Sequence, residues 1–580
     1  MKKVFVVVVL LLVAAAGGVF WFYGRQPAEV IQPAQVLPHD TLVMLEALDL
    51  KESLDEFRAG PLGQAISGID WPACMRAFNT TPQDIQRMQQ ILTQISATFD
   101  SLWFDALFGD RAVFAVLTPA SADPATPPET VWRQSALMVL QPRQSSEMIQ
   151  WIGKMFAGNV TISPVETDGV RMDRVKAPDA PAFFVAAHHN LMLAALEPAP
   201  IVRCLKPDPA NRSSLAEVPE FGQLRQEIGL TGTPRSFAWI DLHRIYDQWA
   251  ALLQRQEVEH ATANEVLKLW AGFNRAKPVM AVAGATNGNL SHQRWRLRYN
   301  GADLSPEAAR VLNIPPQPNA TLPWIPDRLL YYGWHNNLRQ VIESVANLSR
   351  LDTEQAEAFR EKFTATTGVP FDDALSAFGD EFALLIQDVK MGGLFPLPVL
   401  AVVVEVGQQE VIERLVEGAV ARSGMALQTE DHLQTPIRYL ALPYGEDLSP
   451  AYAFRDGFWV AASSRQLLKP LLANSDAGPA LVKDPVFKSV DKGLSGPNNK
   501  MAFLRMDHIA AKGKELITWG MSLAMMSGKV KNPRQITCLT DEVLTPIFDA
   551  LARYPAMGSR TVNEENAVQA DIYVRMPPTP

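Results

Sequence analysis

Two stretches far apart in the chain carry the same phrase. FDALFGDRAVFAVL runs from Phe104 to Leu117, and FDDALSAFGDEFALLIQ from Phe371 to Gln387. Each leads a helix-like segment through Phe-Gly-Asp into an apolar run, and repetition at a fixed interval constrains the architecture before anything else does. The match continues beyond the phrase. SALMVLQPRQSSEMIQWIGKMFA follows in the first half and PVLAVVVEVGQQEVIERLVEGAVA in the second. Both read as a strand turning into an amphipathic helix. Met148, Ile149, Ile152 and Phe156 mark the helical face in one, and Val411, Ile412, Leu415 and Val416 in the other. A hairpin comes next, turning at His188-His189-Asn190 or at Asp456-Gly457. Pro219-Glu220-Phe221 then answers Pro485-Val486-Phe487, and Asp241 answers Asp507, at one shared offset of 266 residues. The halves close on HQRWRLRYN and AVQADIYVRM.

This order predicts an α+β fold in two tandem repeats, each a mainly antiparallel, curved sheet packed with helices. With 580 residues the chain is too long for a single core. Pro315, Pro316 and Pro318 mark a linker over 305–321, separating a first domain at 37–304 from a second at 322–580.

The N-terminus bears on location. Met1-Lys2-Lys3 precedes an uninterrupted apolar run from Val4 to Tyr23, ending in aromatic residues suited to a membrane interface. At helical rise such a run spans about 30 Å, the thickness of a bilayer's hydrocarbon core. The expectation is one transmembrane anchor within 1–25, N-terminus cytoplasmic by the positive-inside rule, with the rest outside. A cleaved signal peptide ending near Ala14-Ala15-Ala16 is the competing reading, and it also exports the chain. Pro27, Pro33 and Pro38 suggest a semi-extended spacer over 26–36. Low Lys and high Ala content point to a bacterial inner membrane, with the bulk of the chain periplasmic.

The opening LPHDTLVMLEALDL, the FGD entering a strand, the PAYAF hairpin and the order F…FAWIDL resemble a bacterial exported family. That family is known as a conserved domain of unknown function behind one N-terminal anchor. The resemblance implies location and architecture, and no mechanism.

The chemistry is sparse. A formal net charge of −9 without a long basic run argues against nucleic acid as a partner. Cys74, Cys204 and Cys538 read as buried thiols; one pair could bond in an oxidising compartment, but spacing does not say which. Gly109-Asp110 and Gly379-Asp380 read as helix-to-strand corners, with Gly leaving the helix left-handed and Asp making a turn bond. Asp241 and Asp507 read as helix N-caps rather than partners of His243 and His508. His188-His189 reads as a solvated turn without a third metal ligand. No catalytic signature is present in linear form, so no cofactor and no metal is expected and an enzyme is disfavoured.

Two apolar stretches stand apart. ELITWGMSLAMMSGK (Glu515 to Lys529) reads as a core helix, or as an adaptable surface through Met521, Met525 and Met526. The hairpin tip MGGLFPLP offers Leu394 and Phe395 where the first half has a polar loop. The leading expectation is a non-enzymatic module binding an apolar ligand, such as a lipid, or an envelope protein partner. An exported hydrolase with a non-linear site and a structural assembly subunit are the alternatives.

Overall fold

Side-chain alternation sets the layers. In the strand Thr41–Leu48 (β1), Leu42, Met44 and Glu46 are buried while Leu45 faces out, as a period of two requires. The computed structural model describes residues 30–119, 128–142, 161–176, 181–207, 213–255, 270–340, 353–391, 395–442, 448–477, 480–526 and 532–578. They divide into two units. The first takes the chain to Gly60, then Asn79–Gly288 and Gln293–Leu304. The second takes Pro61–Phe78, Asn289–His292 and everything from Ser305.

The first unit continues with β2 (Arg111–Leu117), β3 (Ala136–Gln141), β4 (Thr161–Thr167) and β5 (Val170–Lys176). After these come β6 (Phe183–His188), β7 (Leu191–Ala195), β8 (Thr233–Ile240), β9 (Val279–Asn287) and, from Gln293 on, the strand β10 (Leu290–Arg298). Antiparallel pairing orders β1 to β9 as β9-β8-β1-β2-β3-β7-β6-β5-β4. One face packs Met44, Val113, Val139 and Trp239 against helix residues Ile201, Phe221 and Leu224. Phe221 meets Trp239 edge-on at 5.6 Å and Phe237 at 5.8 Å. Such a fully buried aromatic contributes about 1.5–3 kcal/mol. A further cluster sets Phe104, Leu107 and Phe108 against Leu140 and Met192.

The second unit holds β11 (Tyr331–His335), β12 (Phe378–Lys390), β13 (Leu397–Val406), β14 (Leu427–His432) and β15 (Thr435–Leu440). It then holds β16 (Ala451–Arg455), β17 (Phe458–Ala462), β18 (Lys500–Leu504), β19 (Met557–Glu564) and β20 (Ala567–Arg575). Its order is β20-β19-β18-β11-β12-β13-β17-β16-β15-β14, again antiparallel throughout. From β11 to β19 this is the pairing order of β1 to β9. The core sets Tyr332, Leu385 and Val403 against Leu468 and Leu472. Phe487 stands edge-on to Phe503 at 5.1 Å, in the manner of Phe221 and Phe237. The α+β class with a large antiparallel sheet is therefore as expected.

Several local expectations fail for physical reasons. The hairpins β4–β5 and β14–β15 have no counterpart in the repeat read from the sequence; in β5 the buried Val170, Met172 and Val175 are interrupted by Arg171, Asp173 and Arg174, which hides the apolar pattern. The strands β9 and β19, which pair before each closing strand, were not expected either. The chain is not a semi-extended spacer up to residue 36. Pro33 occupies the first turn of a short helix, Pro33–Val36, where its fixed φ suits helix entry, and Ala34 and Val36 are buried.

Neither corner glycine leaves its helix left-handed. Gly109 has φ −76°, and Gly379 lies inside β12 without a positive φ. Both positions need glycine for close approach. A Cβ at Gly109 would overlap the Asp105 carbonyl, and one at Gly379 would overlap the Glu405 carboxylate. The Asp456-Gly457 turn is as expected: two residues at φ 51° and 80° join Arg455 to Phe458. The helical face at Met148–Phe156 and the run Val4–Tyr23 lie outside the described residues. Among the described residues no helix is long and apolar enough to cross a membrane.

Candidate functional site

Asp241 and Asp507 do not play the same part. Asp241 caps its helix as expected, accepting the Arg244 N–H at 2.9 Å, and burial raises its carboxyl above the usual range. In the second unit the first helical bond runs from Ile509 N–H to the Arg505 carbonyl, so Arg505 holds the cap position. The equivalence of the two strand ends is thus shifted by two residues from the Asp-to-Asp match. Asp507 lies inside the first turn of the helix Met506–Met526. Arg505 clamps it with two bonds, Nε to Oδ1 at 3.0 Å and Nη2 to Oδ2 at 2.8 Å. Burial opposes ionisation of Asp507, but these bonds, the guanidinium charge and the His508 N–H outweigh it and lower its pKa.

His508 is held at both ring nitrogens. Nδ1 lies 3.2 Å from the Leu329 carbonyl and Nε2 lies 3.1 Å from the Arg505 guanidinium. A carbonyl only accepts and a guanidinium only donates, so the neutral Nδ1–H tautomer satisfies both. His243 turns away from Asp241, towards Asn274 at 3.1 Å and Asp247 at 3.6 Å. The expected separation of Asp and His therefore holds in the first unit only: His508 Nε2 lies 3.9 Å from Asp507 Oδ2, with Arg505 bonded to both, and only Asp241 is a cap. His189 occupies its two-residue turn at φ 52°, with His188 edge-on to it at 4.5 Å. Among the described residues no three His, Cys, Asp or Glu side chains form a metal-holding group.

The helix Met506–Met526 is built from good helix formers and leaves β18 directly. Only Ala510 is fully buried, so it is not a core helix. Its first half packs closely: the Phe548 ring lies where a side chain at Gly513 would be. Lys514 pairs with Asp549 at 2.7 Å. The helix Thr545–Leu551, which carries Phe548, also packs on Pro61–Ser67. This group is clasped by a disulfide between Cys74 and Cys538, with Cα atoms 5.4 Å apart, and Asn532 donates to the Ala77 carbonyl at 3.1 Å. Two of the three cysteines are therefore not thiols. Cys204 is one, buried, its pKa pushed up to about 12 by desolvation.

Beyond this packing the helix emerges. Met521 is half-buried, whereas Met525 is 51% and Met526 78% exposed, with Leu523 also exposed. At the hairpin tip Phe395 is 62% exposed and Met391 also faces out; Leu394 lies outside the described residues. Structure joins the two stretches at their bases. Lys512 of the helix reaches Asp388 of β12 at 3.1 Å, and also Glu515 at 2.8 Å.

A cleft of about 380 Å³ opens at this junction. Leu329, Leu330, Val399 and Leu467 form its apolar floor. Arg328, Gln387, Lys390, Gln466 and Lys512 contribute to its polar wall, where Lys390 donates to Gln466 at 3.0 Å. Ser464 also lines it, but its hydroxyl is used in accepting the Leu467 N–H. These residues come from separate stretches of the second unit, so no linear motif announces the cleft. The available signal was indirect: Lys390 and Lys512 flank the two anomalous apolar stretches. The first unit has a cleft of about 530 Å³ beside Arg133, Arg174 and Phe184.

No family model matches the chain, and no curated protein does. One solved structure, described as crystal form III of TP0453, is similar over 49% of this chain and 88% of its own. The identity is 10% and the TM-score 0.22, a likeness too slight to speak for fold or activity.

Proposed function

We propose that this chain is a non-enzymatic interaction module of a bacterial envelope, tethered by Val4–Tyr23 and composed of two copies of one α+β fold. The matched phrases and the common strand order support the duplication. Resemblance to the exported domain of unknown function is part of the same reading. The observation that carries the functional part is the exposed apolar end of the Met506–Met526 helix, at Leu523, Met525 and Met526. Large, flexible apolar side chains grouped at a rigid helix end suit contact with an apolar partner surface. The Cys74–Cys538 disulfide supports a location outside the cytoplasm, since such bonds persist in oxidising compartments.

The test is site-specific photocrosslinking of the full chain in native membranes. A photoreactive residue at Met525 is expected to capture lipid or one discrete protein, while the same residue at exposed Gln428 captures neither. Equal or absent adducts at both positions would sink the reading. Thiol labelling before and after reduction checks location separately. Cys74 and Cys538 should label only after reduction, and free labelling of both upon denaturation alone would remove the argument for export.

A further inference from the structure

The cleft between β12 and the Met506–Met526 helix combines two chemistries within one small volume. Its floor is aliphatic, and at about 380 Å³ it has room for roughly a dozen waters' worth of ligand. That is within the range of small-molecule sites, which are mostly apolar with a few placed polar groups. Its wall carries three cations, Arg328, Lys390 and Lys512, against one carboxylate, Asp388. Lys512 is shared between Asp388 and Glu515 and Lys390 is itself partnered, so the wall offers cationic donors rather than unpaired charge. Gln387 and Gln466 add amide donors.

We propose that this cleft binds a small monoanionic amphiphile, a carboxylate bearing a short aliphatic body. The head lies at Lys390, Lys512 and Arg328, where ammonium and guanidinium donors make charge-assisted bonds to a carboxylate. The body lies over Leu329, Leu330, Val399 and Leu467, removing aliphatic surface from water. A free neutral alcohol forfeits the charge-assisted bonds, and a free short anion forfeits the apolar burial. Selectivity therefore requires both parts in one molecule. His508, satisfied by Leu329 and Arg505, is part of the wall. The inference does not depend on the exposed helix end; loss of crosslinking at Met525 would leave it standing.

The experiment is equilibrium dialysis of radiolabelled octanoate against the full chain in zwitterionic lipid nanodiscs, with empty discs subtracted. Octanol and acetate are the comparison probes. Saturable binding of one octanoate is expected, with octanol and acetate each at least tenfold weaker. Two variants address the two halves of the site. Lys390→Glu reverses a charge on the wall, and Ala511→Trp fills the cleft from an exposed helix position. Each is expected to weaken octanoate at least tenfold with the thermal midpoint of unfolding unchanged. Octanoate binding that is absent, or that neither variant alters, overturns the site. Octanol binding as tightly as octanoate, with Lys390→Glu without effect, overturns its anionic selectivity.

Discussion

The Phe-Gly-Asp corner is built twice, and the two versions solve one problem with different chemistry. In the first unit the next residue is Arg111, which pairs at 3.0 Å with the fully buried carboxylate of Glu46 on β1. In the second unit the next residue is Glu381, which accepts from the Trp334 indole on β11 at 2.9 Å. The register is the same: Glu46 stands opposite Val113, and Trp334 opposite Ala383, two residues past the corner in each case. Charge has thus moved from one strand to the other. Glu46 is also held by Arg225 at 2.7 Å, whose guanidinium lies over the Phe237 ring at 4.7 Å. Glu381 accepts from the indole and from the Ala320 N–H at 3.1 Å, with no cation partner among the described residues. The lesson is that the duplicated backbone asks for a satisfied polar pair at this corner and does not dictate which partner carries the charge.

The largest expected effect separates the two corners directly. Glu46→Gln leaves two guanidinium groups facing a neutral amide, a loss that in buried pairs runs to about 3–5 kcal/mol. Arg225 is over a third exposed and water compensates part of this, so about 3 kcal/mol is expected. Urea unfolding of the full chain, followed through the transition sensitive to Trp239, measures it. A cost equal to that of Glu381→Gln would break the comparison.

Next in size are the corner glycines. Gly109→Ala forces a Cβ onto the Asp105 backbone carbonyl, which cannot swing away, and about 2–3 kcal/mol of overpacking is expected. Gly379→Ala meets a movable obstacle instead, the Glu405 carboxylate. That carboxylate accepts the N–H groups of Asp380 at 2.8 Å and Glu381 at 3.1 Å, and displacing it costs about 1 kcal/mol net. A double-mutant cycle sharpens the point. Glu405→Ala should cost less in the Gly379→Ala background than alone, because both remove the same two bonds. Strict additivity would show that the glycine serves something other than Glu405.

Much of this architecture was legible because apolar periodicity and turn residues are local signals. The FGD corners, the Asp456-Gly457 hairpin and the helix Gln409–Arg422 with buried Val411 and Ile412 all follow from short windows. What was illegible is non-local. Cys74 and Cys538 lie 464 residues apart, and nothing near either names the other. The edge strands around Asp173 carry too much charge to read as strands. The Asp-to-Asp match misplaced the second helix cap, since identical letters outweighed the two-residue shift that Arg505 shows. For the site, Met525 and Met526 were singled out by composition, but whether they faced a core or solvent depended on where Phe548 and Gly513 met. The cleft itself needed Leu329, Asp388, Leu467 and His508 to be brought together by folding.

The smallest effect is also the one most specific to the second corner. Burial pushes the Glu381 carboxyl above the usual range; Glu405 adds to this, while the Trp334 and Ala320 bonds oppose it. A carboxyl raised on folding holds its proton more tightly in the folded chain than in the unfolded one. Its favourable contribution is therefore complete below the ordinary glutamate value of about 4.3, and is lost as pH rises through the raised folded value. Glu46, by contrast, faces two guanidinium groups. Glu381→Gln keeps an acceptor oxygen for the indole and removes the ionisation. Wild type and variant should then have similar urea midpoints at pH 4.5, with the variant gaining on wild type as pH approaches 8. If Glu381→Gln instead falls further behind at pH 8, the second corner depends on a charged carboxylate after all, and the two corners differ in their partners but not in the charge they need.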